Sequence, residues 1–362
     1  MSSSSTYLPR NDPRGISQRL NDTLDDFMWG ASSYFVEHND TGSFEADKYQ
    51  TDYFADEACN AIEAYKDSPF FMYLAFWAPH IPLLALKEDY DRLPAHITDH
   101  TERVYGAMVV ALDRAVGTVL KKLESSGLLN NTLVIFTSDN GGAGYLNIEG
   151  MNKPYRGSKL TFFEGGIRVP LFMQWPLQIP AGKTVNKMVS LVDLWPTVVS
   201  AATFPSRRLS GGQSYTNERI DGKDLLPYIT APEATCSESN GVVTCDAGGK
   251  DDSIASDIYD IHSVLFWRSG HYKCIRVKNW KLQVSSKPEK LWLFNLMEDE
   301  FEHNNLADSL EHSQILQQML DELKREESLH ADPLWPVVLF VTTYIDGTTN
   351  KTSSSDYVVW PN

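Results

Sequence analysis

Two short, largely apolar runs separated by one long amphipathic stretch constrain the fold more than any other feature. Phe70 to Trp77 reads Phe-Phe-Met-Tyr-Leu-Ala-Phe-Trp, and Thr132 to Phe136 reads Thr-Leu-Val-Ile-Phe. Both are strand-length, and a strand without a polar face is expected where both faces are covered. Between them, from about Glu102 to Ser125, Tyr105, Met108, Val109, Leu112, Val116, Val119, Leu120 and Leu123 form one helical stripe, with Gly127 as terminator. A further helix is expected over Thr51 to Lys66, ending at Ser68-Pro69, and a third short strand over Leu171 to Trp175. Strand, helix, strand predicts an α/β sandwich on a largely parallel sheet, in which ligands bind beyond the carboxyl ends of the strands.

The texture changes later in the chain. Residues from about 227 to 253 are rich in Ser, Gly, Asp and Thr and read as a loop or linker. Val264 to Trp267, Tyr272 to Val277, Lys281 to Val284 and Leu291 to Leu296 then read as short strands with tight connections, followed by a helix over Ser313 to Leu329. The expected organisation is a catalytic-type region, 1–226, a linker, 227–253, and a small antiparallel sheet with a helix, 254–362. The net charge of -16 argues against binding to nucleic acid or an anionic membrane. No apolar run approaches the roughly 18–20 residues of a membrane span. Any anionic substrate must therefore meet a local cationic site. Four cysteines do not make a disulfide framework; Cys236 and Cys245 either close a small loop or are two free thiols. Sequons stand at Asn21, Asn39, Asn130 and Asn350, yet no apolar signal segment opens the sequence.

Three places carry chemistry. Asp139 and Asn140 end the second apolar run and precede Gly141-Gly142, offering hard oxygen ligands suited to Ca²⁺ or Mg²⁺ on a backbone free to turn. The plainer alternative is a turn in which both side chains bond nearby backbone. His80 follows the first run between Pro79 and Ile81-Pro82, where it is either a general acid or donor to an anionic oxygen, or a structural histidine. Lys159 sits in a glycine-bearing loop, Arg156 to Pro170, as a point charge for an anion or as a solvated loop lysine.

In their order and spacing these segments resemble the type I sulfatases, the arylsulfatase group of the alkaline-phosphatase-like superfamily. The resemblance rests on Phe70 to Pro82, Tyr105 to Leu123, Ser138-Asp-Asn-Gly-Gly142, Arg156 to Pro170, Ile220-Asp221-Gly222, Trp280-Lys281-Leu282, and Leu293 to Leu296 with Glu302 and Asn305-Leu306-Ala307. It implies an alkaline-phosphatase-like α/β fold with a small C-terminal α+β domain. It implies that Asp139 and Asn140 are calcium ligands, and that His80 and Lys159 grip sulfate oxygens and assist the leaving alcohol. It also implies hydrolysis of a carbohydrate or aryl sulfate in a secretory, lysosomal or extracellular setting. Trp77, Tyr145 and Phe162 are expected in the core more than against a ring of the substrate.

The resemblance has gaps. The family's nucleophile is a formylglycine made from Cys or Ser in a C/S-x-P-S/A-x-R motif, and none of Cys59, Cys236, Cys245 or Cys274 lies in one. Thr203-Phe204-Pro205-Ser206-Arg207 mimics it, but oxidising a threonine gives a ketone. Asp25-Asp26 and Asp251-Asp252 are poor substitutes for the family's paired aspartates, and its G-K-W-H-L-G segment is absent. The chain is therefore expected to begin after these segments, and its metal site to be half built, since Ca²⁺ wants about six to eight oxygens. The competing expectations are a non-catalytic relative that binds sulfated glycans and a related phosphoester or phosphonate hydrolase.

Overall fold

The computed structural model describes residues 2–3, 7–9, 12–17, 35–37, 42–209, 220–230, 235–239, 242–246, 261–332, 334, 337, 339–345 and 356–361. Asp25-Asp26, Asp251-Asp252 and the sequons at Asn21, Asn39 and Asn350 lie outside them, as do the side chains of Cys236, Cys245 and residues 204–207. The backbone places Cys236 opposite Cys245 in an antiparallel pair, Thr235–Ser239 with Val242–Asp246. The chain divides into two compact units, 1–132 and 133–362.

In the first unit, helix α1 (Gln50–Tyr65) packs on the long helix α2 (His100–Ser125). Asp99 caps α2 by accepting from the Glu102 amide at 2.8 Å. Gly127, at φ +70°, ends it, with Leu128 N–H returning to Leu123 O at 2.9 Å. The packed face differs from the expected stripe: α2 buries Val104, Ala107, Met108, Ala111, Ala115 and Leu123, while Val109 and Val110 are exposed. Both helices bury small residues, Ala107, Ala111 and Ala115 of α2 and Ala55 and Ala58 of α1, which suit a close helix contact. Arg114 joins α1 to the short helix Lys87–Arg92, with Nη1 2.7 and 2.8 Å from the buried Asp89 carboxylate and Nε and Nη2 3.0 Å from Asp52.

The run at Phe70–Trp77 is not a strand. It is extended, with Phe71 and Tyr73 75% and 84% exposed and alternate residues half-buried. No strand pairs with it among the described residues, so only one side is packed. A run apolar at every position cannot reveal which side that is.

In the second unit, strands β1 (Val134–Thr137) and β2 (Leu171–Gln174) pair antiparallel, with Phe136 opposite Phe172. Both strands are half-buried or exposed. The full burial expected of Thr132 to Phe136 is corrected: β1 is half-buried or exposed, and its described partner runs antiparallel to it. What joins them is a long loop with one four-residue helix, α3 (Glu164–Ile167), and not the crossover helix that a parallel pair needs. Among the described residues every strand pair is antiparallel.

The C-terminal part follows the sequence closely. Strands β3 (Val264–Ser269), β4 (Tyr272–Val277), β5 (Trp280–Ser286) and β6 (Glu289–Asn295) form an antiparallel meander, and helix α4 (Ser313–Leu329) packs on it. One face, with Ile275, Leu282 and Leu293, meets Met319 and Leu323 of α4. The other, with Tyr272, Cys274, Trp292 and Phe294, packs against Phe162, Phe163, Ile345 and Val358. This second face places the loop 156–168 against the sheet.

Candidate functional site

Strand β1 ends at Thr137 and delivers Asp139 and Asn140 into a tight turn. Asp139 Oδ1 accepts from the Asn140 amide at 2.8 Å, and Asn140 Nδ2 donates to Gly141 O at 2.8 Å. Each side chain thus bonds neighbouring backbone, as in the plainer alternative. Each also keeps an oxygen, Asp139 Oδ2 and Asn140 Oδ1, that accepts from nothing among the described residues.

The loop carrying Lys159 is laced to this turn. Gly141 N–H donates to Gly166 O at 2.9 Å, and Lys159 N–H to Gly142 O at 3.0 Å. Asn152 bridges the same backbones, accepting from Gly142 N–H at 2.8 Å and donating to Gly142 O and Gly157 O at 3.0 and 3.2 Å. The loop closes on itself through Gly165 N–H to Arg156 O at 2.7 Å and through Thr161 Oγ1, which accepts from Ser158 N–H at 3.1 Å. No side chain fits at its crossing points: a Cβ on Gly141 would stand 1.8 Å from Gly165 O, and one on Gly166 2.3 Å from Thr161 O. Asp139, Asn140 and Lys159 are thereby brought into one structure, with Lys159 half-buried.

His80 belongs to the first unit. Its Nδ1 lies 2.8 Å from Ile81 O, its own carbonyl accepts from Tyr7 Oη at 2.8 Å, and its ring meets Trp77 edge-on at 5.1 Å. A carbonyl only accepts, so Nδ1 is the donor in that contact. Of the three aromatics, Phe162 is in the core, 4.6 Å from Tyr272, whereas Trp77 and Tyr145 are exposed.

The donor chemistry at Asp139 and Asn140 fits a hard cation, but two oxygens fall well short of the about six to eight that calcium takes. Among the described residues no group of three or more His, Cys, Asp or Glu could hold a metal ion.

One set of residues escapes a reading by sequence alone. Lys281 of β5 is fully buried, with Nζ 2.7 Å from Glu164 Oε1 and 2.9 Å from Glu302 Oε1. Glu302 Oε2 accepts from the Glu164 amide at 2.5 Å, and Gln283 Nε2 donates to Glu302 Oε1 at 3.3 Å. Tyr272 Oη donates to Gln283 Oε1 and accepts from Phe162 N–H at 3.1 Å. Burial pushes the Lys281 ammonium toward neutrality, but the two carboxylates outweigh it and raise its pKa. Burial likewise pushes Glu164 up, yet Lys281, with Arg276 and Arg168, holds that carboxyl below its ordinary value. For Glu302 burial prevails and the pKa is raised. The available signal was Lys281 and Gln283 alternating with apolar residues on a sheet covered on both faces.

Comparison with known proteins adds a family. The family described as Sulfatase matches residues 5–204, more than half of the chain. Human arylsulfatase D is 36% identical over 184 residues, 49% of this chain and 28% of that protein. N-acetylgalactosamine-6-sulfatase of Mus musculus is 35% identical over 183 residues, 49% of this chain and 32% of that protein. The crystal structure of Ps i-CgsB in complex with k-i-k-neocarrahexaose superposes with a TM-score of 0.65 at 29% identity, covering 83% of this chain and 59% of that one. The chain thus spans about a third or less of those curated relatives.

Proposed function

The chain belongs to the sulfatase family, and on that premise we propose that it carries the sulfate-holding residues of a sulfuric ester hydrolase. The observation that carries this reading is the lacing of the Lys159 loop to the Asp139–Asn140 turn by two backbone hydrogen bonds. It sets a cationic side chain and two hard oxygens on neighbouring, mutually fixed backbone.

In this reading Lys159 neutralises a sulfate oxygen as a compact point charge. Asp139 and Asn140 would hold part of the shell of a calcium ion, whose chemistry there would be that of a Lewis acid. His80, oriented by the contact of its Nδ1 with Ile81 O, would by family resemblance assist the leaving alcohol. No cysteine or serine of the chain lies in the formylglycine motif, so no step is assigned to that group. A sulfated carbohydrate is the favoured substrate class, supported by one relative named for a sugar sulfate and a solved neighbour bound to k-i-k-neocarrahexaose. A secretory, lysosomal or extracellular setting follows by family resemblance.

A second reading is a non-catalytic relative that binds sulfated glycans. A release assay addresses both. With an aryl sulfate and calcium, the 362-residue chain is expected to bind but to liberate no sulfate above the uncatalysed rate. Release that disappears in Lys159→Ala would show that a nucleophile is present after all and would remove the second reading.

A further inference from the structure

The Lys281–Glu164–Glu302 cluster is costly to bury. It sits on a sheet whose two apolar cores already hold it together, so the stability of that sheet does not explain three charged groups at its centre. What the cluster touches explains more. Glu164 opens helix α3 and Glu302 follows the meander, and Lys281, on the middle of β5, joins them. Glu302 grips the loop a second time, through the Glu164 amide at 2.5 Å, and a third time through its carbonyl, 3.3 Å from Arg156 Nη1. Arg168, at the other end of α3, pairs with Glu300 at 2.8 Å. The loop is thus fastened to the sheet at Glu164, through Lys281, and to the segment that follows the meander at Arg156, Glu164 and Arg168.

Between those anchors run the backbone bonds that set the site. The Gly166 carbonyl, two residues after Glu164, receives Gly141 N–H, and Lys159 N–H, three residues after Arg156, reaches Gly142 O. Displacing Glu164 moves Gly166, and with it the seat of the Asp139–Asn140 turn. We propose that Lys281 is a positioning residue: through Glu164 and Glu302 it holds the loop that presents Lys159, so that the C-terminal sheet sets the geometry of the sulfate-holding residues. Its functional meaning rests on the reading of Lys159 given above, but the mechanical claim does not.

Hydrogen exchange on the whole chain, followed by mass spectrometry of peptides, tests the mechanical claim without turnover. In Lys281→Met, peptides over residues 156–168 and 138–143 are expected to exchange at least tenfold faster, while peptides over 289–296 and 313–329 keep their rates. Glu302→Gln retains the shape of the side chain while weakening its grip on Lys281, and is expected to give the same pattern more weakly; it decides alone if Lys281→Met does not fold. A parallel rise in all four regions would mark a general loss of stability, and unchanged rates in the loop would mark a cluster with no hold on it. Either result overturns the proposal. A protein that binds no sulfate ester but shows the loop-specific pattern would overturn the functional reading and leave the positioning role standing.

Discussion

Replacing Gly141 with alanine tests the close approach on which the site depends. The added Cβ would lie 1.8 Å from Gly165 O, 2.8 Å from Gly165 C and 3.1 Å from Gly166 Cα, all backbone atoms that no rotamer change can move aside. Carbon and carbonyl oxygen rest at about 3.3 Å or more, so the turn and the loop must part by more than an ångström. The Gly141–Gly166 hydrogen bond, 2.9 Å long, cannot survive that separation. Overpacking costs about 1–3 kcal/mol and the lost hydrogen bond about 0.5–1.5 kcal/mol, so Gly141→Ala should destabilise the second unit by about 2–4 kcal/mol. Urea denaturation followed by tryptophan fluorescence reads this as a lower midpoint at unchanged slope. A loss below about 1 kcal/mol, the scale of a typical surface substitution or less, would mean that turn and loop are not held as described.

Gly117, in the middle of α2, has no heavy atom within 4 Å of the place a methyl group would occupy, so the same substitution there should stabilise the first unit by about 0.5–1 kcal/mol, read as a higher urea midpoint. Asp193 is fully buried and accepts from Ser190 N–H at 2.7 Å, Lys223 N–H at 2.8 Å and His262 Nε2 at 2.8 Å; Asp193→Ala should cost about 3–5 kcal/mol in the same assay. Glu164 has a lowered pKa, so its stabilising contribution is complete above the unfolded-state value of 4.5 and is lost as pH falls through the lowered folded-state value. Acidification through that window should therefore lower the urea midpoint, and Glu164→Gln should flatten the fall; an unchanged slope would contradict the assignment.

Local signals were legible where they have one physical meaning. Gly127 after an amphipathic run marks a helix end whatever packs on it, and α2 ends there, while its start at His100 lies two residues before the expected Glu102. The meander was equally plain, because β4 to β6 are joined by two-residue connections, with Lys278 at φ +52° in one of them. The Asp139–Asn140 pair stood out because a strand precedes it and glycines follow. Packing choices were less legible. Tyr105 to Leu123 and Val104 to Ala115 are both helical stripes, and the smaller one won because Ala107, Ala111 and Ala115 permit close helix contact. The pairing of β1 with β2 depends on a long loop without a crossover helix, which no residue announces. Nothing beside Lys281 in the sequence announces its partners, because the fold brings it Glu302 and Glu164, the latter 117 residues away.

Calorimetric titration of a sulfated monosaccharide into the chain with calcium, compared with Lys159→Ala, tests the central claim most directly. The account predicts saturable binding to the wild-type chain and a loss of at least tenfold in affinity for Lys159→Ala. Equal binding by the two proteins, or none by the wild type, would contradict the assignment of Lys159 to a sulfate.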